Sequence, residues 1–308
     1  MMQVYDLAAI GALAVDDLLY VDEFPKPDTK VRVLRRLRQA GGLAGNALIA
    51  AARLGASVAY AGRLGDDELS RLAAEELRRE GVDLCFAERH AGAQPAHSTI
   101  IVERRHGTRT VLSSSNGLLG PGDETEWLRL LSNVRVLLID HHNTAGTLRA
   151  VRAAKATGTL VAADVERRAD GPFDELLDEI EHLVVSLRFA RQLSGCRDPA
   201  DACRSLFAAA RRAVVVTCGA EGCWWWDGRT AAPTHQPAYS VPVVDTTGCG
   251  DVFHGAYCAG LARGWTIAQC VRLAAAAAAL KATREGGGGS PTAAEVEAFW
   301  QSRGETGL

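Results

Sequence analysis

The chain has 308 residues, of which 47% are hydrophobic and 23% are charged, and its formal net charge is −3. This charge gives no support for binding to nucleic acid or to an anionic membrane surface. Eight scattered cysteines without a Cys-x-x-Cys pair favour reduced thiols over a disulfide scaffold or a zinc site. The opening residues do not resemble a signal peptide, and the alanine-rich run at 273–280 is too short to span a membrane. The composition therefore predicts a cytoplasmic globular protein.

Apolar strand candidates alternate with helical runs along most of the chain. Continuous apolar strands separated by helices predict an α/β fold, with a mainly parallel, doubly wound sheet that carries helices on both faces. Ligands of such sheets bind beyond the carboxyl ends of the strands. The strands are predicted at residues 4–13, 58–61, 134–139, 160–163, 183–185 and 213–217, and the helices at 46–54, 67–79, 145–156, 173–180 and 200–212.

Two segments interrupt this alternation and read as paired β ribbons. Residues 18–24 and 31–37 form the first candidate pair, and residues 98–102 and 108–113 form the second. Their Tyr, Val, Ile and Thr content is typical of strands. In the first ribbon, Val31 and Val33 are expected on one apolar face. A surface hairpin without a function is the alternative interpretation of each ribbon.

Residues 245–257, which read DTTGCGDVFHGAY, are the most informative part of the sequence. Gly248, Cys249 and Gly250 form a turn of small residues that opens directly onto an apolar helical run. The first N–H groups of a helix have no intrahelical partner, and the helix dipole favours an anion there. Asp251 lies in this first turn, where its carboxylate can accept a proton from a hydroxyl that faces a bound phosphate. The pattern indicates phosphoryl transfer to an alcohol, although an ordinary N-cap is the simpler reading of Asp251 alone.

Two further motifs lie near the N-terminus. Gly41 and Gly42 precede a helical run that contains Asn46, whose amide can donate to and accept from hydroxyl groups. Asp16 follows the first apolar strand. A glycine pair before a helix is by itself a weak signal, because most such pairs are only turns.

In their order and spacing, these three motifs resemble the ribokinase-like (PfkB) family of carbohydrate kinases, and the resemblance covers nearly the whole chain. It implies ATP-dependent transfer to a hydroxyl of a small carbohydrate, with Asp251 as the catalytic base and Gly248, Cys249 and Gly250 as the anion hole. It also implies that the sugar is bound by Asp16, Gly41, Gly42 and Asn46.

The resemblance also predicts how the chain is divided. It implies a ribokinase-like α/β core of residues 1–16, 42–96 and 116–308, with a small β lid of residues 17–41 and 97–115 that closes over the sugar. Relatives commonly pair such lids between two subunits, so we expect a homodimer through the lid. A monomer whose lid folds onto its own core is the alternative.

The nucleotide is expected at the motif VVVTCGAEG of residues 214–222. The family match implies ATP binding at Thr217, Gly219 and Gly222, and at Ser186 on the neighbouring strand. The three tryptophans that follow predict a hairpin strand with alternate rings buried, rather than a stacking platform. Family members often hold K⁺ beside the anion hole. The matching positions here are Asp245, Thr247 and Ser290, together with Lys281 and Gly286 through their backbone carbonyl groups.

The sequence departs from the family pattern in ways that affect the chemistry. The Mg²⁺-organising Asn-x-x-Glu is replaced by residues 186–189, which read SLRF, so Asp164 and Glu166 are candidate substitutes. Residues 140–143 read DHHN and favour substrate contact or loop polarity over a metal cluster. A P-loop lysine is absent from the sequence, so a basic side chain outside the motifs is a further candidate for stabilising the transferred charge.

The sequence is compatible with more than one class of phosphoryl acceptor. The patterns GRLGDD and TREGG look closest to bacterial ketohexokinase-like and sulfofructose-kinase-like members. A neutral sugar read by Asp16 and Asn46 is the first choice, while Lys30, Arg32 and His142 are candidate partners of an anionic sugar. A nucleoside acceptor and a catalytically idle sugar sensor of the same fold are the alternatives.

Overall fold

A computed structural model describes residues 4–307, and in this range the chain forms fourteen strands and ten α-helices. The strands are β1 (Tyr5–Ile10), β2 (Ala14–Val21), β3 (Arg35–Gly41), β4 (Val58–Tyr60), β5 (Arg63–Leu64), β6 (Glu88–Arg89), β7 (Ala96–Glu103), β8 (Thr108–Ser114), β9 (Val134–Asp140), β10 (Leu160–Asp164), β11 (His182–Ser186), β12 (Ala213–Thr217), β13 (Cys223–Trp226) and β14 (Thr234–Gln236). The helices are α1 (Leu43–Arg53), α2 (Glu68–Arg79), α3 (Glu124–Leu131), α4 (Thr144–Ala156), α5 (Phe173–Glu179), α6 (Leu187–Ser194), α7 (Pro199–Leu206), α8 (Cys249–Ala262), α9 (Ile267–Ala282) and α10 (Ala293–Gln301).

The main sheet has eight strands in the order β14-β13-β12-β11-β10-β9-β1-β4. The six strands from β12 to β4 are parallel to their neighbours, and β13 and β14 add an antiparallel edge. Successive residues of β1 point to opposite faces, so that Leu7 and Ala9 pack with α1, α8 and α9 while Ala8 and Ile10 pack with α3 to α7. The predicted α/β fold with helices on both faces is confirmed.

A second sheet of four strands has the order β3-β2-β7-β8. Strand β2 pairs antiparallel with β3 and parallel with β7, and β8 completes a hairpin with β7. Leu18, Tyr20, Ile100 and Val102 are buried together on one face of this sheet. The paired strands predicted at 98–102 and 108–113 are observed here.

The first ribbon differs from its prediction. Strand β3 begins at Arg35, and Gly41 pairs with Ala14, so the pairing lies closer to the core than expected. Residues 22–34 contain Pro25 and Pro27, which cannot donate ladder hydrogen bonds, and they run as a connection outside the sheet. The prediction that Val31 and Val33 share a ribbon face is therefore wrong.

Most predicted helices occur, with two differences. Helix α7 ends at Leu206 rather than near residue 212. Arg211 donates to the carbonyl oxygen of Leu206, which lacks an intrahelical partner at this helix end, and from Nη2 to that of Leu177 at 2.8 Å. Helices α3 and α6 had no counterpart in the prediction. Of the helices within residues 4–307, none combines the length and apolar character that crossing a membrane requires.

Close packing of α8 against α1 positions the motif of residues 245–257. A Cβ atom added at Gly255 would collide with the backbone carbonyl of Ala47. The missing side chain lets the two helices approach each other at this point. This contact brings the N-terminus of α8 beside Asn46 of α1.

Candidate active site

The carboxyl ends of the parallel strands gather the predicted polar residues at one edge of the main sheet. Asp164 at the end of β10 is in register with Asp140 at the end of β9. Ser186 at the end of β11 is likewise in register with Thr217 at the end of β12. This placement follows from the sheet topology, because parallel strands end on the same side.

The N-terminus of α8 forms an open turn of the kind that binds anions. Gly248 is the N-cap with φ of 75°, a left-handed conformation that favours glycine. A Cβ at Gly250 would have no protein atom within 4 Å, so the space above the turn is free. Its N–H groups and the dipole of the 14-residue helix point to an anion in this space.

The predicted base and sugar ligands meet beside this turn. The Nδ2 atom of Asn46 donates to Oδ2 of Asp251 at 2.7 Å, while Oδ1 of Asn46 is buried without a hydrogen-bond partner. Asp16 is buried, and a Cβ at Gly41 would collide with its carboxylate. The geometry thus brings residues of β2, β3, α1 and α8 into one cluster.

The pKa values of the acidic groups in this pocket are perturbed. Burial, and then repulsion by Asp164, raises the pKa of Asp251 well above that of an ordinary carboxyl group. Burial also raises the pKa of Asp164, and the neighbouring Glu166 and Asp140 add to that effect. Burial raises the pKa of Asp16 to about 6, against a hydrogen bond from Ser98 that lowers it.

His254 of α8 lies between Asp164 and the first turn of its own helix, and the sequence interpretation missed it. Its Nδ1 atom lies 2.8 Å from the carbonyl oxygen of Gly250 and 3.2 Å from Oδ2 of Asp164. Its Nε2 atom lies 3.1 Å from the carbonyl oxygen of Val184. Oxygen atoms therefore face both ring nitrogens of His254.

Two side chains of the second sheet reach the motif at 245–251. Arg109 of β8 donates from Nη1 to Oγ1 of Thr246 at 2.7 Å, and Tyr20 of β2 donates from its hydroxyl to Oδ2 of Asp245 at 2.9 Å. Neither residue belongs to a sequence motif. Arg109 is a basic side chain from outside the motifs, of the kind that the absence of a P-loop lysine led us to expect.

The thiol of Cys249, in the anion-binding turn, is neutral. Burial raises the pKa of Cys249, against lowering contributions from Lys281 and Arg109. The neutral thiol does not repel a phosphate, so replacement of the usual alanine is tolerated electrostatically.

Four of the five residues matched to the K⁺ site, Asp245, Thr247, Lys281 and Gly286, are joined by hydrogen bonds to Asp245. Gly286 donates from its backbone N–H to Oδ2 of Asp245 at 3.0 Å, and Lys281 donates from Nζ to the carbonyl oxygen of Asp245 at 2.8 Å. The hydroxyls of Thr247 and Ser290 are buried without hydrogen-bond partners. The Lys281 side chain itself therefore enters the site for which only its backbone carbonyl had been expected.

The residues matched to the nucleotide site line the adjacent strand ends. Ser186 is the N-cap of α6, and Thr217 begins a turn in which the N–H of Cys218 donates to the carbonyl oxygen of Gly222 at 2.7 Å. Gly219 and Gly222 have φ values of 60° and 92°. The tryptophans lie in the antiparallel strand β13, as predicted, and Trp224 stacks on His235. The prediction that alternate rings are buried is wrong, because all three rings are only partly buried in this strand near the edge of the sheet.

The candidate metal ligands divide into two groups. The carboxylate of Asp140 accepts hydrogen bonds from the N–H groups of Ala12 at 2.6 Å and His142 at 2.8 Å. No cluster of three or more metal-ligating side chains occurs in residues 4–307. Burial lowers the pKa of His141 to about 4, so this ring is neutral. The DHHN segment thus forms hydrogen bonds within its own loop, and its contact with a substrate stays a prediction.

Asp164 is different, because its Oδ2 atom is buried without a hydrogen bond. The Nδ1 hydrogen of His254 is directed to the nearer carbonyl oxygen of Gly250. Oxygen ligands of this type suit Mg²⁺, which commonly takes one or two carboxylates together with phosphate oxygens. Asp164 and its neighbour Glu166 therefore fit a nucleotide-bound Mg²⁺.

The fold and the site together define a phosphotransferase that acts on an alcohol group. Residues 5–294 match the profile of the pfkB family of carbohydrate kinases. Fructokinase-1 of Oryza sativa subsp. japonica is 31% identical over 294 residues, which cover 85% of this chain and 88% of the relative. Ketohexokinase of Mus musculus is 23% identical over 299 residues, which cover 92% and 98% of the two chains.

The fold is also that of solved ribokinases. The structure of Arabidopsis thaliana ribokinase complexed with ribose and ATP superposes with a TM-score of 0.82 at 23% identity, and it covers 97% of this chain and 99% of that one. The chain belongs to the pfkB family, and it is an ATP-dependent carbohydrate kinase. The predicted family, fold class and type of enzyme are confirmed.

Proposed function

We propose that the protein transfers the γ-phosphoryl group of ATP to a hydroxyl of a small neutral sugar, with Asp251 as the general base. The observation that carries this proposal is the position of Asp251, in the first turn of α8 and 2.7 Å from Asn46. One carboxylate thus lies between an anion-binding turn and a pocket of hydroxyl-binding groups.

The sugar binds through Asp16 and Asn46. The carboxylate of Asp16 accepts a hydrogen bond from one hydroxyl, and the unpartnered Oδ1 of Asn46 accepts from another. The hydrogen bond from Nδ2 of Asn46 orients the Asp251 carboxylate toward the acceptor hydroxyl. Because the pKa of Asp251 is raised, this carboxylate is a stronger base than an ordinary aspartate and accepts the hydroxyl proton more readily.

The developing negative charge is stabilised from several directions. The backbone N–H groups of Gly248, Cys249 and Gly250 donate to the transferred phosphoryl group, and Arg109 adds a guanidinium from the second sheet. Asp164 and Glu166 would hold Mg²⁺, which neutralises phosphate charge when it is bound. The β- and γ-phosphates extend toward this turn from Ser186, Thr217, Gly219 and Gly222, where the nucleotide binds.

A neutral sugar is favoured over an anionic one by the placement of charge. Two of the three sequence candidates for binding an anionic group, Lys30 and Arg32, lie exposed in the connection between β2 and β3. The buried Asp16 carboxylate would repel a nearby anion. The relatives named fructokinase and ketohexokinase make ketohexoses the first acceptors to examine.

The test is ATP turnover against a panel of fructose, ribose, sugar phosphates, a sulfonated sugar and nucleosides. We expect turnover with a neutral sugar and a kcat/KM at least about 10-fold lower for anionic analogues and nucleosides. Preferred turnover of a phosphorylated or sulfonated sugar would overturn the substrate class. Absence of turnover with every acceptor, from a folded protein that binds sugar, would indicate the idle sensor.

We further propose that residues 17–41 and 97–115, which contain most of the second sheet, act as a lid over the sugar. We also propose that this lid pairs two subunits and that the enzyme is cytoplasmic. Val111 and Leu112 on β8 are 50% and 57% exposed, which leaves apolar surface for a partner. All eight cysteines are free, in keeping with a reducing compartment. Sedimentation at micromolar concentration tests the dimer, and a fully active monomer would contradict it.

A further inference from the structure

Lys281, in the last turn of α9, carries a positive charge into the interior of the site. Its side chain is fully buried, with 0% relative exposure. The Nζ atom donates to the carbonyl oxygen of Asp245 at 2.8 Å and to that of Arg284 at 3.3 Å. A buried ammonium group is costly unless it is paired and hydrogen-bonded. Burial accordingly lowers the pKa of Lys281, while Cys249 and Asp245 act to raise it.

The carboxylate beside Lys281 has little capacity left for another cation. Oδ1 of Asp245 accepts from the N–H of Thr247 at 2.8 Å, and Oδ2 accepts from Tyr20 at 2.9 Å and from Gly286 at 3.0 Å. Burial would raise the pKa of Asp245, but Lys281 and these donors hold it below its ordinary value. The carboxylate is therefore ionised and already neutralised by the protein.

These contacts do not fit the K⁺ ion that the family resemblance implied. One of the two carbonyl oxygens that accept from Lys281 belongs to Asp245, which is an expected ligand position, and a metal ion bound there would be repelled by the ammonium charge. The hydroxyls of Thr247 and Ser290 are buried without hydrogen-bond partners. Neutral hydroxyls carry no charge that could offset the charge of Lys281, so they are a poor site for a second cation.

The position of Lys281 relative to the anion-binding turn gives its charge a function. Lys281 is close enough to Cys249 and Asp251 to affect both electrostatically. The segment from Asp245 to Gly248 links the carbonyl oxygen that Lys281 binds directly to the turn. A fixed cation here both holds the turn in place and favours a phosphate above it.

We propose that the Lys281 ammonium group is the built-in cation of this kinase, and that the enzyme consequently needs no monovalent metal ion. This inference rests on the proposed kinase function of the same site. Lys281 is a positioning residue, since it acts through the Asp245 backbone and the turn and does not contact the reacting atoms.

The first test uses the unmodified enzyme with its preferred sugar. Turnover is measured in KCl and in tetramethylammonium chloride at equal ionic strength, about 100 mM. We expect kcat to differ by less than about 2-fold between the two salts, and the thermal midpoint without substrates to be the same in both. Stimulation by K⁺ of about 10-fold or more would overturn the proposal without any variant.

The second test removes the charge with Lys281→Met, which keeps the length of the side chain. We expect kcat in tetramethylammonium to fall at least about 30-fold and K⁺ to restore at least about 10-fold of that loss. K⁺ should also raise the thermal midpoint of this variant, because a ligand that binds only the folded state stabilises it. Lys155→Met, which removes a lysine from α4 that pairs with Glu179 at the surface, is the matched control and should show neither effect.

The outcomes distinguish a failure of the proposed kinase function from a failure of the proposed role of Lys281. Lack of turnover with every acceptor would refute the proposed function, while the thermal response to K⁺ would still report on Lys281. A Lys281→Met variant with full activity in tetramethylammonium would overturn the role of the charge. If that variant does not fold, the salt comparison on the unmodified enzyme decides the question alone.

Discussion

Replacement of Asp251 by asparagine should abolish turnover and at the same time stabilise the folded protein. The introduced amide side chain would have the same shape as the carboxylate and could still accept the hydrogen bond that Asn46 donates at 2.7 Å. It could not accept the proton of the sugar hydroxyl. Loss of a general base lowers a rate by about 100-fold to 10,000-fold, so we expect kcat to fall at least about 100-fold with ATP affinity retained.

The stability effect has the opposite sign because ionised Asp251 is held in an unfavourable environment. Its pKa is raised in the folded state by burial and by Asp164, so the folded protein binds this proton more tightly than the unfolded chain. The cost of ionisation is therefore absent at pH values below the ordinary carboxyl pKa, and it grows as the pH rises toward the raised pKa. Each pH unit of that rise corresponds to about 1.4 kcal/mol. A pKa that is raised by one unit therefore predicts that the Tm of the Asp251→Asn variant is higher by roughly 2 °C.

The assay combines steady-state kinetics with thermal unfolding in EDTA between pH 5 and pH 9. The Tm gain of the Asp251→Asn variant should be larger at pH 9 than at pH 5. Asp66→Asn, at an exposed position, is the control and should change neither kcat nor Tm. A variant with most of its turnover would remove Asp251 from the role of base. A Tm gain that shrinks as the pH rises would refute the electrostatic reasoning.

Three further predictions use other parts of the site. The KM for sugar should rise as the pH falls below about 6, because protonated Asp16 is a poorer acceptor, and Asp16→Asn should have a high KM without this pH dependence in steady-state assays. Arg109→Met should lower kcat about 100-fold with little change in the KM for sugar, as for loss of one donor to the transition state; an unchanged kcat would exclude Arg109. Gly255→Ala should cost about 3 kcal/mol or more in a denaturant titration because of its collision with Ala47. The Gly250→Ala variant should fold normally but lose activity, because its methyl group would occupy the space above the turn. Loss of stability in Gly250→Ala, or an unchanged stability of Gly255→Ala, would contradict the predicted difference between the two variants.

The sequence determined the layers of this protein and the chemistry of its best motif. Apolar strands alternating with helices are a local signal, and each of the six strands predicted for the main sheet is present. The turn from Gly248 to Gly250 and the carboxylate of Asp251 are likewise adjacent in the chain, so their combination could be recognised without a structure. Hydrophobic periodicity and turn composition depend on near neighbours, which a sequence displays directly.

Only the tertiary structure decided which residues meet at the site. The hydrogen bond between Asn46 and Asp251 joins positions 205 residues apart, and the contact between Arg109 and Thr246 joins positions 137 residues apart. Lys281 was matched to a backbone ligand, yet the packing of α9 sends its side chain to Asp245. The pairing of β3 with β2 was misplaced for a similar reason. Strand register and side-chain direction depend on packing across the whole sheet. This packing cannot be read from the neighbouring residues of the chain.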